Sequence, residues 1–255
     1  MENFLNIIQG KGGIVLGALV AFLILERLFP VARWVGGIAR VVKNLVLAGF
    51  NFLLGPLLVI PVTIYAAGHA PDWRPELWSG WPGLLLDLLV LDFWIYWWHR
   101  LNHVLPLLWR FHSVHHLDET LDASSALRFH FGEVALSALV RAAVIFVLAV
   151  PLSSVLIFEA VIAVAAIFHH SNLGLPRRLE QVLSFFIVTP SIHWIHHHAK
   201  REDTDSSYAT VLSVWDRLFG SRSATRREAS LPIGVEGAKD KPLWRLLIQP
   251  FVYRW

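Results

Sequence analysis

Cysteine is absent from the 255-residue chain. That excludes a thiolate-ligated haem, a cysteine-ligated iron–sulfur cluster, a structural disulfide and a cysteine nucleophile. Neither the G-x-G-x-x-G fingerprint of dinucleotide binding nor a P-loop occurs, so electrons for any redox work come from a separate donor. Two acidic metal-binding signatures are missing as well. There is no H-E-x-x-H of the zinc hydrolases and no E-x-x-H of soluble di-iron helix bundles. No cleavable signal peptide is expected, because the first apolar block begins near Gly12 with no small-residue cleavage pattern after it. Internal repeats and low-complexity stretches are lacking too, apart from one motif that occurs twice.

Apolar residues, in contrast, are plentiful. They make up 55% of the chain, where a soluble domain has about 45–50%. They fall in blocks at 13–29, 45–67, 80–98, 134–150 and 152–168, each near the roughly 17–25 residues that cross a bilayer. The second block holds Gly55, Pro56 and Pro61, which predicts a kinked or re-entrant segment. Pro151, Ser153 and Ser154 part the last two blocks into a helical hairpin. The expected fold is an all-α, multi-pass membrane helix bundle with about five membrane helices. Residues 1–255 then form a single membrane domain. Residues 1–168 supply the membrane helices and first histidine motifs, and 169–255 a helical cytoplasmic cap with the last motif.

Charge orients this bundle. Of 22 Lys and Arg, five crossings place 19 on one side, at 27–43, 99–128 and 177–254. The positive-inside rule makes that side cytoplasmic, in a bacterial inner membrane rather than the endoplasmic reticulum. Lys11 and Arg74 fall outside, and Arg141 lies within a span. Arg141 stands ten residues before Pro151 and Glu159 eight after it. Equal depth in the hairpin predicts that they pair, since an unpaired charge there is costly.

Twelve of the thirteen histidines lie in short clusters at the ends of apolar runs, all on the basic side; His69 is the exception. The clusters are His99-x-x-x-His103, His112-x-x-His115-His116, Arg128-x-His130, His169-His170 and His193-x-x-His196-His197-His198. Neutral imidazole is a ligand for first-row transition metals. Residues three and four apart share a helix face, so His99 and His103 can meet one ion. His112 shares a face with both His115 and His116, which diverge enough to reach different ions, and His193 relates likewise to His196 and His197. One tetrahedral zinc needs at most four ligands. Eight or nine imidazoles therefore fit two metals with open positions. His69 and His198 need no metal, and His169 reads as support. Asp92 precedes Tyr96 and His99 by one and two turns, which predicts that it accepts the outer N–H of a ligand histidine.

The order of these motifs resembles the fatty acid hydroxylase/sterol desaturase superfamily of integral-membrane, histidine-rich di-iron oxygenases. Flanking residues sharpen the likeness over about 85–220: Asp92-x-x-x-Tyr96-x-x-His99-Arg100, Arg110-Phe111-His112, Arg128-x-His130-x-x-Glu133, His170-Ser171-Asn172 and Trp215-Asp216-Arg217-Leu218-Phe219-Gly220. Where the family often has Asp-x-Asn-Tyr-Gly, this chain has Asp205-Ser206-Ser207-Tyr208-Ala209. The resemblance implies that His99, His103, His112, His115, His116, His170, His193, His196 and His197 bind two iron ions. Asp92, Tyr96, His130, Glu133, His169 and Asn172 stand around them, with His130 and Glu133 as a ligand or outer pair. It further implies O2 as co-substrate, and hydroxylation or desaturation of a C–H bond in a lipid (fatty acyl, sterol or related isoprenoid). The partners implied are that lipid, the membrane and a separate redox protein, with no nucleic acid.

Other uses of the clusters remain open on the residues alone. A metal transporter or storage protein would string ligands through the bilayer midplane, whereas these sit at helix ends. A b-type haem carrier would place histidines deep in facing helices, yet 134–168 has none. A zinc hydrolase lacks its usual motif.

Overall fold

The computed structural model describes residues 2–252, with side chains from Gly10 onward. Regular structure among these residues is helical, without strands and with three isolated β-bridges. The bundle comprises α1 (Glu2–Leu28), α2 (Gly37–Leu54), α3 (Ile60–Gly68), α4 (Gly80–Val104), the short α5 (Pro106–His116), α6 (Phe131–Leu148) and α7 (Leu152–His170). α1 packs along α7, α3 along α6, and α4 against α5 and α7. Ala66, Leu91, Ile145, Val155 and Phe158 form a shared core that joins α3, α4, α6 and α7.

Local chemistry explains the breaks. Between α2 and α3, Pro56 and Pro61 offer no N–H, and the ladder passes them in a π turn, Gly55–Val59, where Ile60 N–H reaches the Gly55 carbonyl. The block expected to kink or re-enter is thus one helical stretch, Gly37–Gly68. α6 ends on Ala149 in the left-handed region at φ 49°, and Pro151 opens α7, which gives the expected tight hairpin. At the start of α4, a Cβ on Gly83 would meet the Trp78 carbonyl carbon at 2.7 Å. Glycine is required for that close approach.

Among the described residues, three helical stretches are long and apolar enough to cross a membrane: Gly37–Gly68, Phe131–Leu148 and Leu152–His170. Large apolar side chains lie bare on the first, with Phe52 81% and Leu57 78% exposed. Such surface suits lipid rather than water. Within the hairpin Arg141 pairs with Glu159 at 2.9 Å, as their equal distance from Pro151 predicts. Lys11 also pairs with Glu159, because α1 begins well before its apolar block and packs on α7.

Five short helices follow: α8 (Arg177–Phe186), α9 (Pro190–His196), α10 (Arg201–Thr204), α11 (Val214–Leu218) and α12 (Leu243–Val252). This region is less helical than expected, and 219–242 contains no helix. Gly220, Gly234 and Gly237 adopt positive φ there, which ends helices. Buried charges tie this region and the loops to the bundle. Arg40 on α2 donates to Asp118 at 2.6 and 2.7 Å and to Asp122 at 2.6 Å. Arg128 donates to the Val114 carbonyl at 2.8 Å and pairs with Asp240. The Glu26 carboxylate accepts from the N–H groups of Ala123 and Asn172, at 2.9 and 3.0 Å.

Candidate metal centre

The histidines converge from the ends of α4 and α7 and from two short helices, α5 and α9. Pro106 and Pro190 occupy the first turn of those two helices, where a missing N–H costs nothing. One H-x-x-H-H motif closes each helix, α5 ending at His116 and α9 at His196 with His197 as its C-cap. All nine predicted ligand residues come together, in two groups whose candidate ligand atoms lie within 4.8 Å of one another. The first comprises His99, His103, His112, His116 and His196; the second, His115, His170, His193 and His197. The i, i+4 pair on α5 serves the first group and His115 the second, while on α9 the i, i+4 pair serves the second and His196 the first. His116 and His197 stack at 4.3 Å where the groups meet.

Hydrogen bonds decide which nitrogen faces inward. Nδ1 of His99 meets the Tyr208 carbonyl at 2.8 Å, His115 that of Arg128 at 3.1 Å, His170 that of Ala166 at 2.7 Å and His196 that of Ser206 at 2.6 Å. Nδ1 of His103 meets the Asp205 carboxylate at 3.3 Å and that of His112 the Glu133 carboxylate at 2.8 Å. A carbonyl oxygen only accepts, so Nδ1 donates and, in the neutral ring, Nε2 presents a lone pair.

That assignment turns acceptor nitrogens toward one another. Nε2 of His115 and Nε2 of His170 lie 3.0 Å apart, and both rings have committed their proton to a carbonyl on the far side. Two lone pairs thus face each other in a buried site. Nε2 of His103 and of His196 is buried with no hydrogen-bond partner, which is costly for a polar atom. A metal cation held by these histidines would relieve both problems, so the residues fit a metal-loaded state. Burial, reinforced by neighbouring rings, holds His115, His116, His193 and His197 well below the usual histidine range. Burial pushes His196 down to about 3. The rings are therefore neutral at neutral pH, the form that ligates metal.

The surrounding residues divide. The Glu133 carboxylate accepts from His112 Nδ1–H. His130 lies outside both groups. Its Nδ1 caps α6 by accepting Gly132 N–H at 2.9 Å, and Nε2 donates to the Leu247 carbonyl at 3.0 Å. His169 stacks face to face on His193 at 3.9 Å. Asp92 corrects the sequence reading, for it accepts no histidine N–H. It takes Val211 N–H at 3.3 Å, Leu212 N–H at 3.1 Å and Trp215 Nε1–H at 2.8 Å, because those donors of the cap loop fold onto its face of α4. The Tyr96 hydroxyl likewise pairs with Ser221 at 2.9 Å. Asn172 bonds both backbone polar groups of Ala32, at 3.0 and 2.7 Å. His198 meets Asp203 at 2.8 Å, and His69 is an exposed ring on Tyr65. Sequence reasoning missed Asp205, which supports His103 from 102 residues away.

Fold and site together define a membrane protein with paired, buried, all-histidine metal-type clusters. The chain belongs to the fatty acid hydroxylase family, whose model matches residues 84–221. It is 29% identical over 196 residues to ornithine lipid hydroxylase of Rhizobium tropici, covering 77% of this chain and 58% of that protein. Human alkylglycerol monooxygenase is 34% identical over 141 residues, 53% of this chain and 29% of that protein. Mouse cholesterol 25-hydroxylase is 26% identical over 231 residues, 85% and 74% respectively. The chain thus spans between about a third and just over half the length of the first two of these relatives. No solved structure matches.

Proposed function

We propose that this chain is a membrane-bound di-iron, O2-dependent hydroxylase or desaturase acting on a C–H bond of a lipid, whether fatty acyl, sterol or related isoprenoid. The observation that carries the reading is the convergence of candidate ligand atoms from nine histidines, all but His99 buried, in two adjacent groups. His99, His103, His112, His116 and His196 would hold one iron, and His115, His170, His193 and His197 the other. When bound, the irons supply the activation of O2 and the oxidation of an unactivated C–H bond.

The chain's own residues position and protect. Carbonyls of Tyr208, Arg128, Ala166 and Ser206 hold four rings in the Nδ1–H tautomer, and the carboxylates of Asp205 and Glu133 steady His103 and His112. His169 on His193, and Phe129 stacked on His115 at 4.4 Å, exclude water from the second group. Electrons come from a separate redox protein, since the chain has no cysteine for a cluster and no dinucleotide fingerprint. In the membrane, α1 and α4 join the three apolar stretches as crossings. Residues 1–255 act as one domain, and the cap and histidines face the cytoplasm of a bacterial inner membrane.

Metal analysis combined with mass spectrometry of lipid extracts tests this. Wild-type protein carries about two irons per chain and yields lipids that gain one oxygen or lose two hydrogens. His115→Ala, which removes one of the second group's ligands, loses iron and product together. Full activity of iron-free protein sinks the proposal, and so does iron uptake by cells with no lipid product, the behaviour of a transporter or store.

A further inference from the structure

A groove of about 410 Å³ opens where α4 turns into α5, between the bundle and the cap. That volume lies within the roughly 300–1,000 Å³ of small-ligand sites. His103 and Trp109 line it, in ring contact at 5.1 Å, and His103 belongs to the first histidine group. One ring therefore separates the groove from the candidate metal centre. Val104, 61% exposed, lines the groove, and Leu105 and Leu107, which follow closely along the chain, are also exposed. Arg110, Arg201 and Glu236 line the groove as well.

The charges are unequally engaged. The Arg201 guanidinium lies over Trp109 at 4.8 Å and gives only its Nε–H to Asp205, at 2.5 Å. Its terminal nitrogens have no partner among the described residues, and Arg110 has no acidic partner among them. Glu236 accepts the Arg201 backbone N–H at 3.2 Å. A planar fork and a free cation, beside exposed apolar side chains and one ring from the metal groups, complement an amphiphile with an anionic head.

We propose that this groove seats the anionic headgroup, a phosphate or carboxylate, of the lipid substrate. Arg110 and Arg201 bind the head, and the hydrocarbon runs past Val104 toward the first histidine group. The assignment as substrate rests on the oxygenase reading, whereas the headgroup site stands on the groove alone.

Two measurements separate them. Calorimetry on metal-free protein in nanodiscs, with dihexanoyl phosphatidic acid, dihexanoyl phosphatidylcholine and inorganic phosphate as probes, reads the site without turnover. Phosphatidic acid binds more tightly than phosphatidylcholine, and Arg110→Gln weakens it by about tenfold. Arg110→Lys restores part of the loss and Glu236→Gln tightens binding. Arg178→Gln, on α8 and not part of the groove, changes nothing. Equal binding of both lipids, or an Arg110→Gln variant that binds like wild type, overturns the proposal. Inorganic phosphate binding as tightly as phosphatidic acid overturns it too, by showing a site for free anions. On iron-loaded protein, Arg110→Gln raises KM for an anionic lipid while kcat and iron content hold. An unchanged KM overturns the substrate assignment. Wild-type protein that binds phosphatidic acid yet yields no oxidised lipid keeps the headgroup site and removes the oxygenase reading.

Discussion

At the scale of single residues, an imidazole becomes a defined ligand through the atom behind it. His112 has the Glu133 carboxylate at 2.8 Å, while the other carboxylate oxygen is buried without a partner. That arrangement serves His112 and little else. Glu133→Ala therefore weakens metal binding by about 10–100-fold, and Glu133→Gln, which still accepts through its carbonyl, recovers part of it. A metal titration followed by calorimetry checks both; wild-type affinity in Glu133→Ala contradicts the role. The ligand candidates were legible in the sequence because helical spacing is written in residue numbers. Their supports were not. Four of the six Nδ1 partners are backbone carbonyls, which any residue type supplies. Asp92 shows the converse error. Helical spacing put it on the face of His99, but spacing does not reveal that a loop 119–123 residues away brings three donors to it first.

Among the elements, the α6–α7 hairpin was the most legible, since Pro151 and the apolar blocks define its length. Its internal pair is testable. Arg141 and Glu159 are mostly buried, and Lys11 remains as a second partner for Glu159. Arg141→Ala consequently costs about 2 kcal/mol, the range of a charged hydrogen bond, rather than the larger penalty of an isolated buried carboxylate. Thermal unfolding of the purified variant in detergent reads this, and an unchanged midpoint removes the pair from the stability argument. The region after α7 was less legible. Its fold depends on Arg128 reaching Asp240 and on glycines at positive φ, and neither follows a period that a sequence displays. The clamp of Arg40 on Asp118 and Asp122 escaped for the same reason, because these partners lie 78 and 82 residues from Arg40.

For the whole molecule, the concentration of neutral imidazoles ties stability to acidity. Burial depresses His115, His116, His193, His196 and His197 in the fold, whereas in the unfolded chain histidine titrates near about 6.5. Below that pH the unfolded chain binds protons that the fold refuses, so stability present above pH 6.5 is lost as the pH falls. Metal-free protein accordingly melts at progressively lower temperature from about pH 7 to pH 5, and saturating metal raises the midpoint across that range while the slope remains, because the fold already refuses those protons. A flat profile for the metal-free protein contradicts burial of neutral rings.

The division of each H-x-x-H-H motif between the two histidine groups has a consequence for how such a site tolerates change. Adjacent histidines diverge by the angular step of one helical residue, and a residue one turn away rejoins its partner. The separation between the two groups is therefore a ruler cut into the backbone of α5 and α9. Loops, cap and lipid-facing surface can be rebuilt around those two short helices while the gauge of the centre stays the same.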